Sequence, residues 1–147
     1  MQSYTKYIEH AGLTEHESSA LENFLFNFYS SYGNRFSPGN CALIPDLTEF
    51  ARKAQITTFL GGFFERINPK RYLRSHFFLA AKSRRDKDDL IIDPTGVPLN
   101  HGDLKLKSIV PYFGLKSRAT GFHKHVYDNM NEMDDWGTRD LPPRFRP

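Results

Sequence analysis

The sequence is poor in cysteine, with a single residue, Cys41, in a chain of 147. One thiol excludes an intramolecular disulfide and a cysteine-rich zinc site, so Cys41 is free, structural or reactive. No apolar run approaches the roughly 18 residues of a membrane span. The first residues also lack the apolar core of a signal peptide. We therefore expect a domain that works in a reducing compartment, either cytoplasmic or delivered into the cytosol of a target cell.

Neither sign of charge dominates, because 20 lysines and arginines face 17 aspartates and glutamates for a net charge of +3. This excess is too weak by itself to identify a nucleic-acid-binding protein. The chain has no Gly-rich phosphate loop and no His-Glu-x-x-His motif, so no cofactor is expected. Aromatic residues are plentiful, with 13 Phe and 7 Tyr. The length suits one domain over residues 1–147 with a sizeable core, and residues 139–147 have the composition of a flexible tail.

Two stretches have helical patterns. Thr14 and Glu17 form a capping box ahead of apolar residues at helical spacing, which predicts a helix over Glu15–Tyr32. A second pattern predicts a helix that starts at Pro45, because proline is favoured at the first helical position. Cys41 would then lie in a tight turn just ahead of this helix. The partial positive charge at a helix N-terminus favours the thiolate form of a nearby cysteine.

Several other stretches suggest strands. Ile56–Phe64 is β-branched and aromatic around a glycine pair, and fits either a strand with a bulge or the end of a helix followed by a turn. Leu104–Val110 alternates and predicts a third strand with its lysines on the outer face, which Pro111–Gly114 breaks. Thr120–Met133 fits a last helix or an irregular arm. Together these patterns predict an α+β domain with helices packed on a small, mainly antiparallel sheet.

The most informative stretch predicts a β-hairpin. Apolar Phe77–Ala81 and Leu90–Ile92 flank a run of charged residues that is typical of a turn. A four-residue loop over Ser83–Asp86 would place Lys82 opposite Lys87. This register is the basis of the functional hypothesis, because it decides which residues meet further down the two strands.

Counting back from that loop brings His76 opposite Asp93. Directly opposed residues have Cβ atoms roughly 4.5–5.5 Å apart, so an imidazole and a carboxylate can meet there. Period-2 alternation puts both on the same face of the sheet as Phe78 and Ile91. A carboxylate beside a histidine fixes the ring tautomer and stabilises the charged ring, as a general base requires. The missing component is a nucleophile, and Cys41 is the candidate.

The combined pattern resembles the transglutaminase-like and papain-like cysteine hydrolases. The residues that carry the resemblance are Gly39-Asn40-Cys41 before a helix, His76 in one strand, and Leu90-Ile-Ile-Asp93-Pro-Thr95 in the next. The similarity extends over roughly residues 39–96, and members include proteases, glutamine deamidases, transglutaminases and translocated bacterial effectors and toxins. It implies a papain-like or transglutaminase-like core.

The resemblance also implies roles for individual residues. Cys41 would be the nucleophile, His76 the general base and acid, and Asp93 the orienting carboxylate. The glutamine that papain-like enzymes carry before the cysteine has no equivalent here, which leaves Asn40 or Asn34 as the side chain that polarises the carbonyl. The expected substrate is an amide bond of a protein, and a neutralising immunity or inhibitor protein is an expected partner.

The same residues also have simpler structural explanations. Cys41 can be a small buried hydrophobic residue, His76 a core histidine, and Asp93–Gly96 a turn. His123 and His125 would share a face of a strand, which suggests a metal site, but no recognisable ligand spacing accompanies them. We therefore predict surface histidines and no metal.

An alternative function is RNA binding or metal-independent RNA cleavage. The basic residues form a candidate patch, and Tyr72 and Phe113 offer stacking partners; the patch comprises Arg71, Arg74, Lys82, Arg84, Arg85, Lys87, Lys105 and Lys107. His76 with a lysine or arginine would supply the catalytic groups. Steep salt dependence would distinguish this function from thioester chemistry.

Overall fold

The structure is a computed structural model that describes residues 4–32, 44–66, 73–82, 88–98 and 109–133. These residues form three α-helices: α1 (Glu15–Tyr32), α2 (Ile44–Lys53) and α3 (Gly121–Asp128). They also form five strands: β1 (Phe59–Arg66), β2 (Leu73–Lys82), β3 (Asp89–Pro98), β4 (Ile109–Leu115) and β5 (Asn131–Met133). Single 3₁₀ turns at Tyr4–Tyr7 and Lys116–Arg118 precede α1 and α3.

The five strands make one sheet in the order β4-β3-β2-β1-β5. Every neighbouring pair is antiparallel. Strands β1 to β4 follow one another along the chain and across the sheet, as expected for short connections. The predicted α+β class with a small antiparallel sheet is therefore confirmed.

Helix α1 has the limits that the sequence predicts, and its capping box is present. The Thr14 backbone N–H donates to Glu17 Oε1 at 2.8 Å, and the Glu17 backbone N–H donates to Thr14 Oγ1 at 3.0 Å. These two bonds satisfy donors that the first turn of a helix otherwise leaves unpaired. Helix α2 begins at Ile44, one residue before the predicted Pro45, which is its second residue.

The hairpin of β2 and β3 is present, but its predicted register is wrong. Lys82 pairs with Asp89 rather than with Lys87, which shifts β3 by two residues. The charges explain the difference: Lys82 Nζ lies 3.6 Å from Asp89 Oδ1, whereas the predicted register opposes two lysines. A shift of two preserves the alternation, so each side chain keeps its predicted face of the sheet.

One face of the sheet, here the α1 face, packs against α1 and α2. Ala51 of α2 is fully buried there among side chains from both layers. The buried residues of this face are Ile8, Leu21, Phe24, Leu25, Phe28, Ala51, Phe64, Phe77, Leu79, Ala81, Leu90, Ile92, Phe113, Leu115 and Met133. Full burial of a Leu, Ile, Phe or Met side chain stabilises a fold by about 1.5–3 kcal/mol.

The opposite face, here the α3 face, packs against α3 and the turn before it. Its buried residues are Phe63, Phe78, Ala80, Ile91, Tyr112, Ala119, Val126 and Tyr127. Residues 77–81 of β2 alternate strictly between the two clusters, with Phe78 and Ala80 on the α3 face. The described helices thus cover both sides of the sheet, and residues 76–81 of β2 and 89–94 of β3 are buried.

The stretch around the glycine pair, for which the sequence left two predictions open, forms strand β1. It pairs with β2 without interruption from Phe59 to Arg66, so neither the predicted bulge nor a helix end followed by a turn describes Phe59–Phe64. Gly61 is required for packing, because a Cβ atom at this position would lie 2.6 Å from Phe78 Cε2. The missing side chain leaves space for the Phe78 ring on the neighbouring strand.

Strand β4 contradicts the prediction that Pro111–Gly114 ends a strand. All four residues lie inside β4, at an edge of the sheet, where a proline without an N–H group is tolerated. Of the predicted strand over Leu104–Val110, residues 104–108 lie outside the described part. The stretch Thr120–Met133 resolves into α3 followed by the short strand β5.

Candidate functional site

The His76–Asp93 contact is present. His76 Nε2 lies 2.7 Å from Asp93 Oδ2, and the exposed fractions of the two residues are 4% and 0%. Their predicted direct opposition is wrong, because the last paired residues are Leu79 and Ile92. Continuing that register places Asp93 beside Phe78, so His76 reaches it diagonally across the two strands. Side chains alternate between the two faces along each strand, and this alternation, which the sequence determines, still puts both side chains on the α3 face.

Asp93 lies where β3 departs from regular pairing. It pairs with Tyr112, and the next pair is Val97 with Val110, so the register of β3 against β4 shifts between Asp93 and Val97, through a bulge or another irregularity. Asp93–Gly96 lies within β3, so the alternative interpretation of this stretch as a turn is wrong. Bulges bend a strand and redirect its side chains, and they occur often beside active sites.

A third polar side chain completes the cluster. The Tyr127 hydroxyl of α3 donates to Asp93 Oδ2 at 2.7 Å, and Tyr127 is fully buried. Burial, and then the negative charge of Asp93, raise the pKa of Tyr127 well above its ordinary value. The hydroxyl therefore stays protonated and remains a donor. The sequence analysis did not identify Tyr127. Tyr127 follows His123 by four residues, which places the two side chains next to each other on a helix. This spacing was the available signal, and it required α3 to be recognised as a helix.

Aromatic rings enclose this polar cluster. The Phe78 ring stacks on the His76 ring with centroids 5.6 Å apart, and meets Tyr127 edge-on at 5.1 Å. Tyr112 lies 5.5 Å from Tyr127, and its own hydroxyl donates to the Leu115 carbonyl at 2.7 Å. Such surroundings exclude water, which strengthens each hydrogen bond and makes any unpaired polar group costly.

The arrangement can hold an imidazole in one orientation and one tautomer. With Asp93 as a carboxylate, which only accepts hydrogen bonds, this contact assigns the proton of the His76 ring to Nε2. Proton transfer to or from a reactant would then use the other ring nitrogen, Nδ1. This is the role of a general base whose ring is oriented by a carboxylate.

The predicted nucleophile, Cys41, and the predicted oxyanion donors, Asn40 and Asn34, lie outside the described residues. Helix α2, which starts three residues after Cys41, packs on the α1 face through Ala51. His76 and Asp93 lie on the α3 face, so the described structure brings these two predicted residues together and places α2 on the other side of the sheet.

The two histidines of α3 have different surroundings. His123 and His125 lie on a helix rather than on the strand that would put them on one face. The His123 ring packs against Tyr112 and Tyr127, and half-exposed His125 bonds through Nε2 to Glu65 Oε2 at 2.8 Å. Among the described residues, no group of three or more His, Cys, Asp or Glu could hold a metal ion.

The predicted basic patch is only partly described. Lys82 is exposed, with its Nζ near Asp89 and 4.9 Å from the centre of the Phe59 ring. Arg74 belongs to β2, and the remaining lysines and arginines of the patch lie outside the described residues. The contacts of Lys82 are those of an ordinary surface lysine, so they give no support to a phosphate-binding role.

Comparisons of the chain with protein-family models, with curated proteins and with solved structures gave no match. Within the described residues, no helix has the length and apolar character needed to cross a membrane.

Proposed function

We propose that this protein is a cysteine-dependent hydrolase or acyl transferase that acts on an amide bond of a protein substrate. Cys41 is the nucleophile, His76 the general base and acid, and Asp93 the residue that orients His76. The observation that carries the proposal is the buried 2.7 Å contact between His76 Nε2 and Asp93 Oδ2. A histidine bound in this way serves proton transfer, and the thiol is the group that such a histidine activates in this class of enzyme.

The reaction proceeds in two halves. His76 Nδ1 removes the Cys41 proton, the thiolate attacks the amide carbonyl carbon, and the C–N bond breaks as His76 returns the proton to the leaving nitrogen. Water or an amine then attacks the thioester, passes a proton to His76, and releases the acyl group with the regenerated thiol. The Cys41 backbone N–H and Asn40 or Asn34 are the proposed donors to the oxyanion.

The proposal places a demand on the chain between α1 and α2. Cys41 lies at most about 10 Å along extended chain from Ile44, and α2 packs on the face opposite His76. The proposal therefore requires the Cys41 thiol to reach the His76 ring within this short length of chain before α2.

The substrate class follows from family analogy. We favour proteolysis or glutamine deamidation over crosslinking, because a short chain offers little surface to hold a second, amine-bearing substrate. A papain-like or transglutaminase-like core and a translocated effector or toxin, paired with a neutralising protein, belong to the same proposal.

The test is the pH dependence of Cys41 alkylation by iodoacetamide, followed by mass spectrometry. We expect a reactive thiolate well below the ordinary thiol pKa of about 8.5, and loss of this reactivity in His76→Gln. The matched control is His125→Gln, which removes a histidine bonded to Glu65 rather than to Asp93. A slow thiol whose reactivity is the same in the wild type and in His76→Gln would refute the Cys41–His76 pair.

RNA cleavage is a second candidate function. The observation that favours it is that the His76–Asp93 pair lies on the face of the sheet opposite α2, the helix that follows Cys41. RNA cleavage that persists in Cys41→Ala, disappears in His76→Gln, and weakens steeply with salt would establish this function. Cleavage that is absent from the wild type would exclude it.

A further inference from the structure

One oxygen atom of Asp93 accepts two buried hydrogen bonds. His76 Nε2 and the Tyr127 hydroxyl both lie 2.7 Å from Asp93 Oδ2. The three side chains come from three elements, β2, β3 and α3. Because they are at least nine-tenths buried, water does not replace a missing donor at this oxygen without entering the core.

We propose that Tyr127 is a positioning residue for the His76–Asp93 pair. Its hydroxyl fixes the orientation of the carboxylate and withdraws negative charge from Oδ2. The inference gives this contact a role in the proposed cysteine chemistry, and to that extent rests on the proposed function.

The direction of the effect follows from competition between the two donors. A carboxylate oxygen that already accepts from Tyr127 binds a second donor less strongly. The hydroxyl stabilises Asp93 most when His76 is neutral, because a charged imidazolium already compensates the carboxylate. Tyr127 therefore favours the neutral ring of His76, which is the form that accepts a proton from a nucleophile.

Tyr127 is held firmly enough for this role. It is fully buried on α3 beside Val126, and its ring contacts Phe78, Tyr112 and His123. The titratable groups packed around Tyr127 in the described structure include Asp93 on β3, Tyr112 on β4 and His123 on α3, and His76 on β2 contacts Asp93. From β1, Phe63 faces the cluster opposite His76, and this residue carries no charge.

The experiment is an NMR titration of the His76 ring in the wild type and in Tyr127→Phe, with His76→Gln used to assign the signal. Loss of the hydroxyl should raise the titration midpoint of His76 by about half a pH unit or more. A shift of one pH unit corresponds to about 1.4 kcal/mol. The control is Tyr112→Phe, which removes a neighbouring buried hydroxyl that bonds to Leu115 instead of Asp93. Its His76 midpoint should match the wild type.

A second substitution keeps the test decisive if Tyr127→Phe does not fold. Site-specific 3-fluorotyrosine at position 127 keeps the ring and makes the hydroxyl a stronger donor, so the His76 midpoint should fall instead of rising. The proposal is overturned if the midpoint is unchanged in a folded Tyr127→Phe or 3-fluorotyrosine protein. It is also overturned if Tyr112→Phe shifts the midpoint as much as Tyr127→Phe.

The alkylation profile of Cys41 separates this inference from the proposed function. If the Cys41–His76 pair exists, the pH profile for alkylation should shift in Tyr127→Phe together with the His76 midpoint. If Cys41 proves unreactive in the wild type, the proposed function fails. The NMR titration still decides whether Tyr127 controls His76.

Discussion

Asp93 is the residue on which the polar chemistry of the core depends. Its side chain has no exposed surface, and one of its oxygens accepts from both His76 and Tyr127. Hydrogen bonds to a charged acceptor are roughly twice as strong as neutral ones, and a buried donor without its acceptor is costly. The same contact therefore serves stability and proposed catalysis, which makes substitutions here informative about both.

Replacement of Asp93 by asparagine should destabilise the protein by about 1–3 kcal/mol, because the charge that strengthens two buried hydrogen bonds is lost. Urea unfolding monitored by circular dichroism measures this change. The control is Asp128→Asn, which alters an exposed pair with Lys124 and should change the free energy of unfolding by less than about 0.5 kcal/mol. Equal effects of the two substitutions would contradict the special role of the buried carboxylate.

At the scale of elements, the end of α2 has an unusual residue. The Gln55 backbone N–H donates to the Arg52 carbonyl and the Ile56 N–H to the Ala51 carbonyl, which is the pattern of a Schellman motif. Gln55 has a φ of 62°, in the left-handed region where glycine is normally found at this position. The side chain of Gln55 is exposed.

We expect Gln55→Gly to stabilise the protein by about 1 kcal/mol, because glycine adopts this φ without the clash that Cβ causes. The measurement is the midpoint and slope of urea unfolding. Gln55→Ala is the control: it shortens the side chain but keeps Cβ, so it should give no gain. A gain of the same size for alanine would show that the side chain, and not φ, is responsible.

At the scale of the whole molecule, the covered sheet makes stability depend on tyrosine ionisation. Burial and the charge of Asp93 raise the pKa of Tyr127, and burial with the charges of Glu9 and Asp88 raises the pKa of Tyr112. The unfolded chain releases these protons near pH 10, whereas the folded protein retains them. Their contribution to stability is therefore fully present below pH 10 and is lost as the pH rises above it.

The free energy of unfolding should accordingly fall between pH 9 and pH 11. In Tyr127→Phe the slope should be shallower by up to about 1.4 kcal/mol per pH unit, the value for one proton. Urea unfolding of both proteins at pH 9, 10 and 11 provides the comparison. Other groups that titrate at alkaline pH are present in both proteins, so their contributions cancel in the difference between the two free energies of unfolding. Parallel curves for the two would mean that the Tyr127 hydroxyl ionises as readily in the folded as in the unfolded protein.

Local patterns in the sequence determined much of this architecture. The capping box and apolar spacing determined α1 from Glu15 to Tyr32, since the interactions that start and stop a helix lie within a few residues. Period-2 alternation determined that His76 and Asp93 share a face. That conclusion survived the wrong register, because the shift was an even number of residues.

Only the tertiary structure decided the rest. The register of β2 and β3 depends on which partners meet across the turn, and Lys82 finds Asp89 rather than Lys87. Tyr127 reaches Asp93 because α3 packs on one side of the sheet, while α2 packs on the other. These choices depend on contacts between residues far apart in the chain, where many arrangements bury similar apolar area, and local periodicity contains no information about them.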